Sequence, residues 1–256
     1  VVSNLITQKE SVLPVLHYKL DEISGLALDS SGNGNHGTVS GATQTASGHD
    51  GKLNGAYSFD GGDFITNGTI VSNAQSSFFG RDNFTISLWI YSDVAVGSSI
   101  IIPIELGGYI AFNWGHSIPE YQQSWGVNDG SIKASKYSTT LQASNWYHIT
   151  ATFSSTTGDL KAYLNGNLET TISGVGQITT PLQDLYIGSH NATQYFFNGS
   201  IDDVRIYDKA LTADQVKKIY LDSCSLGMGV KDYGRVEIEG SLLVKKTLPN
   251  DSTLRP

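Results

Sequence analysis

The sequence predicts an all-β fold: an antiparallel sandwich of two sheets, with one short helix near the C-terminal end of the sandwich. Three observations carry this expectation. Several stretches alternate with a period of two, most clearly Phe84 to Tyr91, where Phe84, Ile86, Leu88 and Ile90 share one face. The chain of 256 residues holds 28 Gly and only 16 % charged residues, a balance that suits short strands joined by many turns. A single segment near the end of this pattern has helix signals, and strands followed by one helix do not build an α/β fold.

The elements follow in order. Val15 to Leu20 (VLHYKL) reads as a first strand and leads to the loop Asp29 to Gly37, DSSGNGNHG. Gly32, Gly34 and Gly37 have the G-x-G-x-x-G spacing of a dinucleotide turn, which requires a helix opening on the glycines. The segment that follows, TVSGATQTASGHDG, has no helical period, so this reading is excluded. Two others stay open. The loop's many oxygens suit a hard cation such as calcium. A plain turn, in which Asp29 and Asn33 cap their own backbone, suits them as well.

Tyr147 to Phe153 and Lys161 to Leu164 repeat the alternation, and Asn165-Gly166 supplies a hairpin turn that tolerates positive φ. Leu185 to Gly188 and Ile201 to Tyr207 are two more strands. Asp202 and Asp203 are neighbours in the second of these, so a regular strand would send them to opposite faces. Thr212 and Gln215 form a capping box, and Ala213, Val216, Ile219 and Tyr220 give the helix an apolar side.

The net charge of −8 argues against nucleic acid or insertion at an anionic membrane, and no apolar run approaches a membrane span. One cysteine, Cys224, excludes an internal disulfide. The expected division is an N-terminal arm over 1–14, the sandwich over 15–221, and a C-terminal arm over 222–256 that leads to a neighbouring domain or subunit. Both ends read as cut from a longer polypeptide.

In order and spacing, LHYKLDE, DSSGNGNHG, LNGAYSFDGGDFI, FTISLWIY, NWYHITATF, LKAYLNGNL, LYIG, FNGSIDDVRIYDKAL and TADQVKKIY resemble the laminin-G-like, concanavalin A-like lectin/glucanase superfamily. The resemblance covers about Leu16 to Tyr220. It implies a jelly-roll sandwich of two curved sheets, and a module of the kind that binds glycans or cell-surface proteins. It also implies a structural calcium where the N-terminal loop meets the last strand. Carried onto this chain, the ligands would be Asp29, Asn33, His36 through its carbonyl, and Asp202.

The tryptophans divide into two pairs. Trp89 and Trp146 open or sit within strands and read as core. Trp114 and Trp125 bracket the polar stretch GHSIPEYQQS, which reads as a loop. Sugars lay apolar faces on aromatic rings while their hydroxyls meet amides and carboxylates. Trp114, Tyr121 and Trp125 are therefore candidate platforms, with Asn113, His116, Glu120 and Gln122 as polar partners. A loop packed on its own aromatics fits the same residues.

Hydrolases on this fold carry carboxylates at alternate positions of one strand, as in E-x-D-x-x-E, and the sequence has no such run. Glu237 and Glu239 alternate, but beyond the sandwich. The sequence thus points to a non-catalytic recognition module for a glycan or cell-surface glycoprotein, within an extracellular, cell-surface or virion-surface protein. A structural or assembly module working through the two arms is the alternative, and a glycoside hydrolase or lyase ranks below both.

Overall fold

The computed structural model describes residues 12–225 apart from 46, 52–54, 68–81, 98–99, 109, 116–118, 120–121 and 179–183. The arms up to residue 11 and beyond Ser225 lie outside the described residues, as do His116, Glu120 and Tyr121.

The strands, in chain order, begin with β1 (Leu16–Tyr18), β2 (Thr38–Ser40), β3 (Thr43–Gln44), β4 (Tyr57–Asp60) and β5 (Phe64–Asn67). Next come β6 (Asn83–Ser92), β7 (Ile104–Leu106), β8 (Ile110–Asn113), β9 (Ser124–Asn128) and β10 (Ile132–Lys136). The last are β11 (Trp146–Ser154), β12 (Asp159–Leu164), β13 (Asn167–Ile172), β14 (Leu185–Ile187) and β15 (Asn198–Tyr207), followed by helix α1 (Ala213–Ser225). They form two antiparallel sheets. The eight-stranded sheet runs β13-β12-β11-β6-β15-β4-β3 with β1 added on β15, and the seven-stranded sheet runs β10-β9-β8-β7-β14-β5-β2.

Alternation decides which side of each strand is inside. Ile86, Leu88 and Ile90 of β6 lie opposite Ala151, Ile149 and Tyr147 of β11, and all but Tyr147 are fully buried. They face Ile104 and Leu106 of β7, Phe112 of β8 and Val127 of β9 from the other sheet, in one continuous core. Each large side chain removed from water in this way contributes about 1.5–3 kcal/mol. The Asn165-Gly166 turn joins β12 to β13 with both residues at positive φ, 50° and 72°, as the hairpin requires.

The expected helix forms, and its capping box is present. Thr212 N–H donates to Gln215 Oε1 at 2.8 Å, and Gln215 N–H donates to Thr212 Oγ1 at 3.3 Å. Val216 and Ile219 pack with Leu211, Tyr163 and Tyr207 on the outer face of the eight-stranded sheet, in a second cluster separate from the main core. The helix continues to Ser225, past the boundary expected at residue 221. Trp89 is buried, but on this outer face, where its indole N–H donates to Ser223 Oγ at 3.0 Å. Trp146, expected in the core, is only half-buried, tilted against Tyr91.

Strand β15 changes partner along one edge. Its residues Asn198–Ile201 pair with β4, whereas Val204–Ile206 pair with β1. Between the two the register with β6 shifts, and Asp203 takes φ 49°. This bulge overrides the strict alternation of a regular strand. Asp202 and Asp203 therefore do not diverge: both line one cavity on the outer side of the sheet.

Candidate functional site

The seven-stranded sheet presents a face built from one cross-strand row. Register places Thr38 opposite Thr66, Thr66 opposite Tyr186, and Tyr186 opposite Glu105. The row continues through Ala111, Gly126 and Ala134. Their sequence neighbours Ile104, Leu106, Leu185, Ile187, Phe112, Trp125 and Val127 point into the core, so this row faces outward. Ala111, Gly126 and Ala134 rise little above the backbone. Beyond Glu105 the row therefore carries only small side chains.

At Tyr186 and Glu105 of this row is a cleft of about 260 Å³ lined by Glu105, Gly108, Asn128, Tyr186, His190 and Asn191. Glu105 is 2 % exposed, and its Oε2 is in hydrogen-bond contact with His190 Nδ1. Burial lifts the Glu105 carboxyl above its ordinary range, while His190 and the Gly108 N–H pull the other way. The His190 ring lies 5.5 Å from that of Tyr195, which is 37 % exposed. The loop carrying them holds Asn191, Ala192 and Tyr195 at positive φ, a cluster of sparsely populated conformations beside the cleft. The cleft thus offers an aromatic ring, amides and one buried carboxylate within a single concavity.

Trp114 and Trp125 cannot serve as platforms. Both are fully buried, and their indoles fill the core beneath this sheet. Trp125 lies 5.3 Å from Phe112 and donates to Tyr137 Oη at 3.2 Å, while Trp114 Nε1–H donates to the Val94 carbonyl at 2.9 Å. Period two explains both: Trp114 continues the inward series from Ile110 and Phe112, and Trp125 begins one continued by Val127. Asn113, at the end of β8, is half-buried and opposite Ser124 on the outward face.

Of the residues expected to hold calcium, Asp29, Asn33 and His36 share one hydrogen-bonded loop, whereas Asp202 is engaged by His49. Asp29 is buried and its carboxylate is saturated. Oδ1 accepts N–H bonds from His17 (3.0 Å) and Ser31 (2.9 Å), and Oδ2 accepts from Asn35 N–H (2.9 Å) and Ser31 Oγ–H (2.8 Å). The His36 carbonyl accepts from Asn67 Nδ2 at 2.9 Å, and His36 Nδ1 accepts the Asp29 N–H at 2.9 Å. Asn33 Nδ2 donates to the Val15 carbonyl at 3.0 Å. Asp202 pairs elsewhere, with His49. Among the described residues no group of three or more His, Cys, Asp or Glu side chains could share a metal ion. Calcium takes six to eight oxygens, and this donor set does not fit it.

Asp202 and Asp203 instead anchor a buried network. His49 Nδ1 lies 2.5 Å from Asp202 Oδ2, and its Nε2 lies 3.2 Å from the Ser223 carbonyl. The His49 ring stacks on Trp89 at 4.3 Å. Asp203 Oδ1 lies 2.7 Å from His17 Nε2 and accepts from Arg205 Nε–H at 3.0 Å. Burial raises the Asp202 carboxyl to about 6, against His49. Burial acts on Asp203 as well, but His17 and Arg205 outweigh it and bring that carboxyl down to about 2.

Comparison with known proteins adds the wider setting. A family model described as the concanavalin A-like lectin/glucanases superfamily matches residues 59–217. No curated protein matches the sequence. Among solved structures, the chain is similar to domain 4 of AbnA, an extracellular arabinanase from Geobacillus stearothermophilus, in complex with arabinotriose. That match has a TM-score of 0.62 and 19 % identity, and it covers 82 % of this chain and 100 % of that one. The chain is also similar to the binding domain of botulinum neurotoxin DC in complex with rat synaptotagmin II, with a TM-score of 0.59 and 16 % identity. A third is the botulinum neurotoxin type G receptor-binding domain, with a TM-score of 0.59 and 18 % identity. Each of these toxin matches covers 82 % of this chain and 51 % of the other, so the chain spans about half of those domains. At these identities the likeness concerns the fold. Among the described residues no helix is long and apolar enough to cross a membrane.

Proposed function

The chain belongs to the concanavalin A-like lectin/glucanase superfamily, and we propose that it is a non-catalytic recognition module that binds a saccharide on the outward face of its seven-stranded sheet. The observation that carries this reading is the row Tyr186–Glu105–Ala111–Gly126–Ala134. Tyr186 supplies a ring beside a row of small residues, and Glu105, Asn128 and Asn191 supply the acceptors and donors that hydroxyls need. Similarity to a domain solved with arabinotriose and to receptor-binding domains supports a binding role.

Recognition fits this cleft better than hydrolysis does. Glycosidic cleavage takes two carboxylates across the scissile bond. Glu105 is the one carboxylate among the described residues lining the cleft, and it is already engaged by His190. An extracellular, cell-surface or virion-surface parent is part of the same proposal. The test is a glycan array probed with the wild-type chain and with Glu105→Gln. Binding to one saccharide class, weakened at least about tenfold by the substitution, supports the reading. Binding unchanged in Glu105→Gln rejects this site.

A further inference from the structure

The loop between β14 and β15 is held to the saccharide cleft by one side chain. At its base, Gly188 N–H donates to the Pro103 carbonyl at 2.8 Å and Ile102 N–H to the Tyr195 carbonyl at 2.9 Å. The tip, residues 189–194, is bonded mostly to itself. His190 N–H donates to the Gln194 carbonyl at 2.9 Å, Thr193 N–H to the His190 carbonyl at 3.1 Å, and Ala192 N–H to Ser189 Oγ at 3.2 Å. Among the described residues, the tip's one hydrogen-bond partner outside the loop is Glu105, which His190 Nδ1 meets.

Asn191 and Ala192 stand at φ 44° and 60° inside that tip, conformations that persist only where the surroundings hold them. The strength of the hold depends on one proton. An ionised Glu105 accepts the Nδ1–H of His190 whether the ring is neutral or charged. A protonated Glu105 offers only a carbonyl oxygen, and its Coulomb attraction to the ring is gone. Burial keeps this carboxyl above its ordinary value of 4.5, against the pull of His190 and Gly108, so the change falls in weak acid. From β14, Tyr186 faces Glu105, its hydroxyl donating to Asp184 Oδ2 at 3.3 Å, and Tyr195 lies behind His190. The described lining of the cleft has no Lys or Arg, so no fixed cation there keeps Glu105 ionised.

We propose that His190 is a positioning residue: through Glu105 it latches the loop tip, and with it Asn191, at the cleft, and protonation of Glu105 opens the latch so that the cleft releases its saccharide in weak acid. This regulation rests on the saccharide reading of the same cleft. Folded Glu105 binds its proton more tightly than the unfolded chain does, so protonation as the pH falls favours the fold. The latch opens while the sandwich stays folded.

The experiment follows the amides of Ser189, Asn191, Ala192 and Gln194 and the Glu105 carboxyl carbon by NMR in the labelled chain without ligand. The series runs from about pH 7.5 to about pH 4.5, where ordinary carboxylates stay largely ionised. Asp202, raised to about 6, titrates in the same range but on the other sheet. The proposal predicts that the tip amides share the midpoint of the Glu105 carboxyl, and that this response is lost in His190→Ala. His190→Asn, which returns a donor close to where Nδ1 stood, restores the wild-type shifts near neutral pH. If His190→Ala does not fold, Glu105→Gln decides, because the carboxyl midpoint must vanish from the tip amides there. Calorimetric titration with the best saccharide from the array then reads affinity. It should fall at least about fivefold between about pH 7.5 and about pH 5 in wild type, and stay weak at both in His190→Ala. A chain that binds no saccharide overturns the reading of the cleft, while the tip amides still decide the latch. Tip amides that do not follow Glu105, or that titrate alike in His190→Ala, overturn the latch. Equal affinity at both pH values overturns its control of binding.

Discussion

Asp29→Asn removes one charge and replaces one acceptor oxygen with a donor, in a loop that holds itself together through that carboxylate. Oδ1 would survive as an amide oxygen, still accepting from His17 and Ser31. Where Oδ2 stood, an NH2 group would face the Asn35 N–H, now 2.9 Å away. The Ser31 hydroxyl can rotate to accept instead of donate, but the Asn35 N–H cannot. Losing one charge-assisted bond and weakening two others amounts to about 2–4 kcal/mol. For a domain of this size each kcal/mol moves the midpoint by about 2–4 °C, so the melt should fall by about 4–16 °C. The assay is a thermal melt at pH 7 of wild type and variant, each with and without a chelator. The chelator should leave both midpoints where they are, because N–H and O–H donors already occupy the positions a cation would fill. A variant within about 1 °C of wild type would refute the reasoning. So would a chelator that brings wild type down to the variant.

Three further outcomes follow from the same structure. Trp125→Ala should cost about 3–5 kcal/mol in a denaturant titration, because it empties the core beneath β8 and β9. Gly166→Ala should destabilise by more than about 1 kcal/mol, since φ is 72° and the new Cβ would lie 2.9 Å from Tyr220 Cβ; a melt at neutral pH measures it. The Asp203 carboxyl sits at about 2, below its unfolded value of about 3.9. Its stabilisation is therefore complete above about pH 4 and is lost as the pH falls towards 2, so acid unfolding should be shallower in Asp203→Asn over that window.

The fold was legible where periodicity and turn chemistry agree. Phe84 to Tyr91, the Asn165-Gly166 hairpin and the Thr212–Gln215 cap each declare one local structure, and each forms. Trp114 and Trp125 were harder because the polar run between them, GHSIPEYQQS, looks like a loop that displays its aromatics. The inward positions Phe112–Trp114 and Trp125–Val127 were the available signal, and two-residue fragments of alternation are easily overlooked. The Asp202–Asp203 cavity was not legible at all. It depends on a bulge, and on β15 exchanging β4 for β1 across a separation of many residues in sequence. The Glu105 cleft was hidden for a related reason. Tyr186 and Glu105 meet only through sheet register, 81 positions apart, and nothing local to either residue announces it.

The saccharide site is tested most directly by amide chemical-shift mapping. The 15N-labelled chain would be titrated with the best saccharide from an array. The account predicts that the largest saturable shifts cluster at Glu105, Gly108, Asn128, Tyr186 and Asn191, and that Tyr186→Ala abolishes them with the rest of the spectrum intact. Saturable shifts confined to residues away from this face, or unaltered in Tyr186→Ala, would contradict it.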